Sequence, residues 1–259
     1  MSNLRTPILR QPGQSLDEAL AKMHDDDFGP IAAMIVIFLF LAILEWLRWI
    51  FPIGPQPWMA SAIALVVLWW GIRRARRLRS TRESMRLGRD GERMVAQTIA
   101  PLAADGFVIL HDLPGDGFNL DHILIGPRGV FVIETKTRSR MNKKPKVTLV
   151  DGVILVDGRP EIGDSQGQAL AAAKWLETLL NQLLGERITV QPVVVFPEWF
   201  VEVDRPYELP VWVCNPKGLL TFVPKAKGRL SSAVAGRVHH ALVEHMTIRQ
   251  QLTHELIKI

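Results

Sequence analysis

The sequence predicts an α/β domain, a mixed sheet flanked by helices, preceded by an all-α hairpin that crosses a membrane twice. Three observations carry this. Residues 28–44 and 58–72 are two neighbouring apolar runs, a dense arginine cluster follows the second, and from Gly88 onward β-branched runs separated by turn signals alternate with helix-period stretches. Short strands interleaved with helical patterns are the signature of a sheet covered by helices.

Taken in order, residues 1–28 form a polar tail, with a capping box from Ser15 to Glu18 opening a short helix whose apolar side is Leu16, Ala19, Leu20 and Met23. The acids Asp25, Asp26 and Asp27 end it. Residues 29–72 are the membrane hairpin. Trp46 and Trp49 close the first span, and Trp58, Trp69 and Trp70 bracket the second, the positions at which indole rings sit at bilayer interfaces. The second run is about 23 Å long at 1.5 Å per residue, so its flanks must help it cross a hydrocarbon core of about 30 Å. Arg73 and Arg74 begin a basic juxtamembrane linker, residues 73–87. The positive-inside rule then places the linker and both termini in the cytoplasm, as in a multi-pass protein of the bacterial inner membrane, and the arginines from Arg73 to Arg89 are matched to anionic lipid headgroups.

That cluster also explains the charge. The chain is +5 overall, but eight of its 31 basic residues lie between Arg73 and Arg89 beside a single acid, so the remainder is close to neutral. Global charge therefore says little about nucleic acid. Cys214 is the single cysteine, which leaves no disulfide partner and no cysteine-based metal site.

Residues 88–259 are the α/β domain. Helices are expected at 89–100, 166–184 and 231–246. Strands are expected at 106–111, 190–196 and 211–214, with one hairpin at 120–125 and 130–137 and a second at 147–150 and 153–156 turning on Asp151-Gly152. In the first hairpin, a two- or four-residue connection at Gly126-Pro127-Arg128-Gly129 sets Asp121 opposite Glu134, with Lys136 on the same face by the two-residue period. A three-residue loop with a bulge at Gly129 would instead put Glu134 on the other face. The even register is preferred, because carboxylates gathered together can share a hydrated divalent cation, whereas charges buried on separate faces would each need a partner.

Beyond the hairpin lie Lys136, Arg138, Arg140, Lys143, Lys144 and Lys146, six cations with no acid between them, which suit phosphate contacts that fix position and read no bases. By alternation His122 points away from Asp121 and is expected to be packed. His239, His240 and His245 lie on one late helix without converging on a metal.

Gly91-Glu92, then Asn119-Leu120-Asp121-His122, then the run from Gly126 to Lys136 resemble the nuclease-related domain family, NERD, of the PD-(D/E)xK nuclease superfamily. The resemblance implies a restriction-endonuclease-like fold and a divalent-metal-dependent nuclease. It implies that Asp121, Glu134 and the Thr135 carbonyl hold Mg²⁺ or Mn²⁺, that Lys136 is catalytic, and that Glu92 assists. The family also has a Gln opening the helix after the sheet. This falls on Gln168, with Gln166 as the neighbouring alternative, and Asp164-Ser165 stands where the family often has Asn-Pro. The competing expectation is a catalytically silent nuclease-fold module that binds nucleic acid or protein at the membrane.

Overall fold

The computed structural model describes residues 10–25, 28–51, 57–139, 145–203 and 209–256, and the chain divides into two compact units, one of residues 16–86 and one of residues 1–15 with 87–259. The first unit is helical. It contains most of α1 (Gln14–Asp25), all of α2 (Phe28–Ile50) and the larger part of α3 (Pro57–Ile99). Pro57 stands at the first helical position, where a missing N–H costs nothing. The helix expected at 89–100 is thus the end of one 43-residue helix, and the stretch expected as a linker is helical. The reason is local: between Arg73 and Leu87 the chain is mostly Arg, Leu, Met, Glu and Ala, good helix formers with no Gly or Pro among them.

Among the described residues no helix is long and apolar enough to cross a membrane. What the first unit does have is unburied apolar surface. Phe40 and Trp49 on α2 are 55% and 80% exposed, as is most of Leu65 and Trp69 on α3. Trp46 and Trp49 meet edge to face at 5.9 Å, and the guanidinium groups of Arg73 and Arg74 lie over the Trp69 and Trp70 rings at 5.6 and 5.7 Å. The Trp58 side chain lies outside the described residues.

The second unit is built on a five-stranded sheet of β1 (Val108–Pro114), β2 (Asn119–Gly126), β3 (Gly129–Thr135), β7 (Val190–Val195) and β9 (Trp212–Cys214), in that order. The first three strands are antiparallel neighbours, and β7 and β9 run parallel to β3. Returning to a parallel strand needs a long crossover, and α4 (Ser165–Leu184) lies within it. On one face, Ala172, Leu176 and Leu180 of α4 and Val238 and Leu242 of α6 (Ser232–Leu256) pack on Leu110, Ile123, Val130 and Val132. On the other, Val95 and Ile99 of α3 and Leu219 of α5 (Pro216–Phe222) pack on Leu124, Phe131, Ile133 and Trp212. With helices on both faces, β2 and β3 read as continuous apolar runs.

A second, four-stranded sheet, β6-β5-β4-β8, joins the expected hairpin of β4 (Lys146–Val150) and β5 (Val153–Val156) to β6 (Arg159–Pro160) and β8 (Phe200–Glu202). These last two strands were not expected. They have two and three residues, too few for a period to register. Val147 and Ile154 seal this sheet against Ala169, Phe196 and Trp199.

Candidate active site

The β2–β3 hairpin adopts the even register: Gly126 pairs with Gly129, Ile125 with Val130 and His122 with Ile133, closing a two-residue turn at Pro127-Arg128. Both glycines have reasons to be there. A Cβ on Gly126 would sit 2.3 Å from the Phe107 ring, and Gly129 has φ +126°, a conformation L side chains rarely adopt. The next pair in this register is Asp121 with Glu134, at the end of β3 farthest from the turn.

Asp121 Oδ2 accepts the Thr135 amide at 2.6 Å. Lys136 Nζ donates to Glu134 Oε1 at 2.7 Å and also to Gln168 Oε1, while its amide donates to Val195 O at 2.8 Å and continues the pairing with β7. Asp121, Glu134, Lys136 and Gln168 therefore meet at one sheet end. Gln166 does not join them; its Nε2 donates to the Gly152 carbonyl in the β4–β5 turn at 2.7 Å. Gln168 reaches the site because Asp164 caps α4, its Oδ1 accepting the Gly167 amide at 2.8 Å and its carbonyl accepting the Gln168 amide at 3.0 Å. Asp164-Ser165 thus starts this helix in place of the Asn-Pro expected from the resemblance, and buried Ser165 donates its hydroxyl to Glu161.

Glu92 arrives from α3 and is buried. Its neighbour Gly91 explains the approach: a Cβ there would lie 1.9 Å from Thr137 Cγ2 and 3.3 Å from Pro197 Cγ, so only glycine lets α3 come this close to the end of β3. Glu92 acts on Asp121 electrostatically. Burial first, then the Glu134 and Glu92 charges, push the Asp121 carboxyl well above the usual carboxylate range, against the lowering effects of the Thr135 N–H and Lys136. Three acids face one ammonium, and the excess negative charge is what a cation would neutralise. Among the described residues no three His, Cys, Asp or Glu side chains close into a complete metal cage. Two carboxylates with water completing the shell is nevertheless the ordinary donor set for Mg²⁺, so Asp121 and Glu134 fit that ion.

The basic run is changed by its surroundings. Arg138 donates to Glu161 Oε1 at 2.7 Å and to Ile162 O at 3.0 Å, and Lys146 pairs with Glu202. Glu161 and Glu202 are brought in by the small sheet and were invisible as partners, standing 23 and 56 positions away in the chain. Both cations therefore carry an acid partner in this structure. Arg140, Lys143 and Lys144 lie outside the described residues.

His122 is fully buried, and its Nδ1 lies 2.8 Å from Nδ1 of His111, one ring donating and the other accepting. Burial, with His111 nearby, drives the His122 pKa down to about 3, and burial lowers that of His111 as well. Next to it, buried Asp112 holds the N-terminal segment, accepting Arg10 Nε at 2.9 Å and the Ser15 amide at 2.8 Å. No sequence pattern pointed to Asp112; its φ of 51° belongs to the strand's path, which sequence does not display.

The fold is a mixed α/β domain with the Asp121, Glu134, Lys136 and Gln168 side chains gathered at one sheet end. Residues 87–197 match the family model of NERD, the nuclease-related domain. A nuclease-related domain suggests a nuclease-like function, and that class of domain implies a divalent metal. No curated protein and no solved structure matches the chain.

Proposed function

We propose that the chain is a membrane-anchored nuclease that hydrolyses phosphodiester bonds of DNA or RNA with Mg²⁺ or Mn²⁺. The observation that carries this is the convergence of Asp121, Glu134, Lys136 and Gln168 at one sheet end, where burial and the neighbouring Glu134 and Glu92 also push the Asp121 pKa up. Asp121 and Glu134 would hold the ion, with the Thr135 carbonyl as a backbone donor. When bound, it polarises the scissile phosphate and acidifies water.

The remaining steps belong to the chain's own groups. Lys136, clamped between Glu134 and Gln168, presents its ammonium where negative charge grows on the phosphate oxygens, and a donor fixed in advance does not have to reorient during the reaction. Gln168 acts as a positioning residue, holding Nζ from the first turn of α4. The Thr135 amide fixes one oxygen of Asp121. Glu92 adds negative charge from the helix side. The test is cleavage of labelled DNA and RNA by the full chain with Mg²⁺ or Mn²⁺. Glu134→Ala or Lys136→Ala should lower the rate by about 10²–10³, the usual loss when one electrostatic stabiliser is removed; equal rates would reject the assignment.

The membrane reading rests on α2 and α3. The 23 residues of α2 extend about 35 Å at 1.5 Å per residue. Apolar side chains such as Phe40 and Trp49 are exposed on it, and apolar surface of this kind suits a bilayer. The arginines capping Trp69 and Trp70 suit the interface with anionic headgroups. Reporter fusions should place residue 259 in the cytoplasm, and an extracytoplasmic signal would overturn the orientation.

A further inference from the structure

The opposite end of β3 from the carboxylates forms a second concavity, a groove of about 890 Å³. Gly129 and Phe131 line it and Glu134 lies further along the same strand, so at about 3.3 Å per residue the groove is about 10–16 Å from the carboxylates. Arg128, Arg187, Lys225, Lys227 and Arg229 line it, and all five are exposed. Its one lining acid, Glu186, is taken by Arg237 at 2.5 Å. None of the five cations is paired with an acid among the described residues.

The wall is built rather than incidental. The Leu230 amide donates to the Pro127 carbonyl at 3.0 Å, and Gly228 lies so close to the Arg128 carbonyl that a Cβ would be 2.3 Å from it. The 224–230 segment is thereby pinned to the hairpin turn, which gathers Lys225, Lys227 and Arg229 around Arg128. The floor comes from Phe131 and Trp212, both in the core at 2% and 5% exposure, so no ring face is open for a base to stack on. The groove is equipped to read charge. Its size lies within the range of about 300–1,000 Å³ found for pockets that hold compact ligands, and its concavity suits a chain of phosphates better than a flat bilayer.

We propose that this groove is a second phosphate-binding site, distinct from the carboxylate centre, taking the phosphate chain of a free polyphosphate or of a nucleic-acid strand. It does not depend on the nuclease reading. The experiment uses the full chain in EDTA with two probes: inorganic tripolyphosphate by calorimetry, and a short fluorescein-labelled single-stranded oligonucleotide by anisotropy. The triple variant Lys225→Glu/Lys227→Glu/Arg229→Glu changes exposed side chains only, and its thermal melt checks that it folds. Tripolyphosphate affinity should fall at least about tenfold. For the oligonucleotide, the slope of log affinity against log salt should shrink by about 2, at about 0.7 per lost phosphate contact. The companion variant Lys225→Arg/Lys227→Arg should keep wild-type binding. Loss for either probe supports the site, and the probe affected identifies the source of the phosphates. Unchanged binding of both probes, or no saturable binding to the wild type, overturns it. Failure of the nuclease reading would appear separately, as absent cleavage with Mg²⁺.

Discussion

Replacing Asp121 by Asn should make the metal-free protein more stable at neutral pH. Continuing the register one step past the last paired residues, His122 and Ile133, sets Asp121 opposite Glu134, and such neighbours have Cβ atoms about 5 Å apart. At an effective dielectric of about 20, two unit charges at that distance repel by about 3 kcal/mol. The Thr135 N–H and Lys136 offset part of this. A net gain of about 1–2 kcal/mol is therefore expected, about 3–6 °C in Tm for a domain of this size. Asn keeps an oxygen for the Thr135 amide, so the geometry is retained. The pH dependence has a definite sign. An acid whose folded pKa is raised binds its proton more tightly when folded, so the penalty is present above the folded pKa and is relieved as pH falls through it toward the unfolded value near 4. The assay is calorimetric melting of both proteins in EDTA from pH 8 to pH 4.5, reading the difference between them so that other groups cancel. The variant's advantage should shrink as pH falls, and Mn²⁺ should stabilise the wild type while leaving the variant almost unmoved. A variant less stable at pH 7, or an advantage that grows on acidification, would refute the electrostatic account.

Two further outcomes follow from the same geometry. Gly91→Ala places a methyl 1.9 Å from Thr137 Cγ2 and should destabilise the domain by about 1–3 kcal/mol; adding Thr137→Ala should recover most of it in a denaturant melt. Gln168→Ala should lower the cleavage rate by about 10–100-fold through the loosened Lys136, whereas Gln166→Ala, whose side chain reaches Gly152, should leave it near wild type.

The hairpin was legible because its register depends on a count. Gly126 and Gly129 leave two residues between the paired ends, and the face shared by Asp121, Glu134 and Lys136 follows from a period of two. Pro127 had left an odd register open, because it disfavours the primed turns that usually close a two-residue hairpin. Gly91 was legible as part of a motif, but its reason, the contact with Thr137 and Pro197, is a tertiary fact. The ion pairs of the basic run were not legible because Glu161 follows, and Glu202 ends, a short strand with no periodic signal of its own. In the same way, Gln166 and Gln168 are equivalent in composition and are separated only by how Asp164 starts the helix. The second basic groove draws its cations from three separate parts of the chain, so no local run announced it.

The central claim is that Asp121 and Glu134 share a divalent cation. Crystals soaked in Mn²⁺ test it most directly. An anomalous difference peak between the two carboxylates, absent in Asp121→Asn, is the predicted result; a saturating soak that leaves that position empty, or a peak held by other residues, would contradict it.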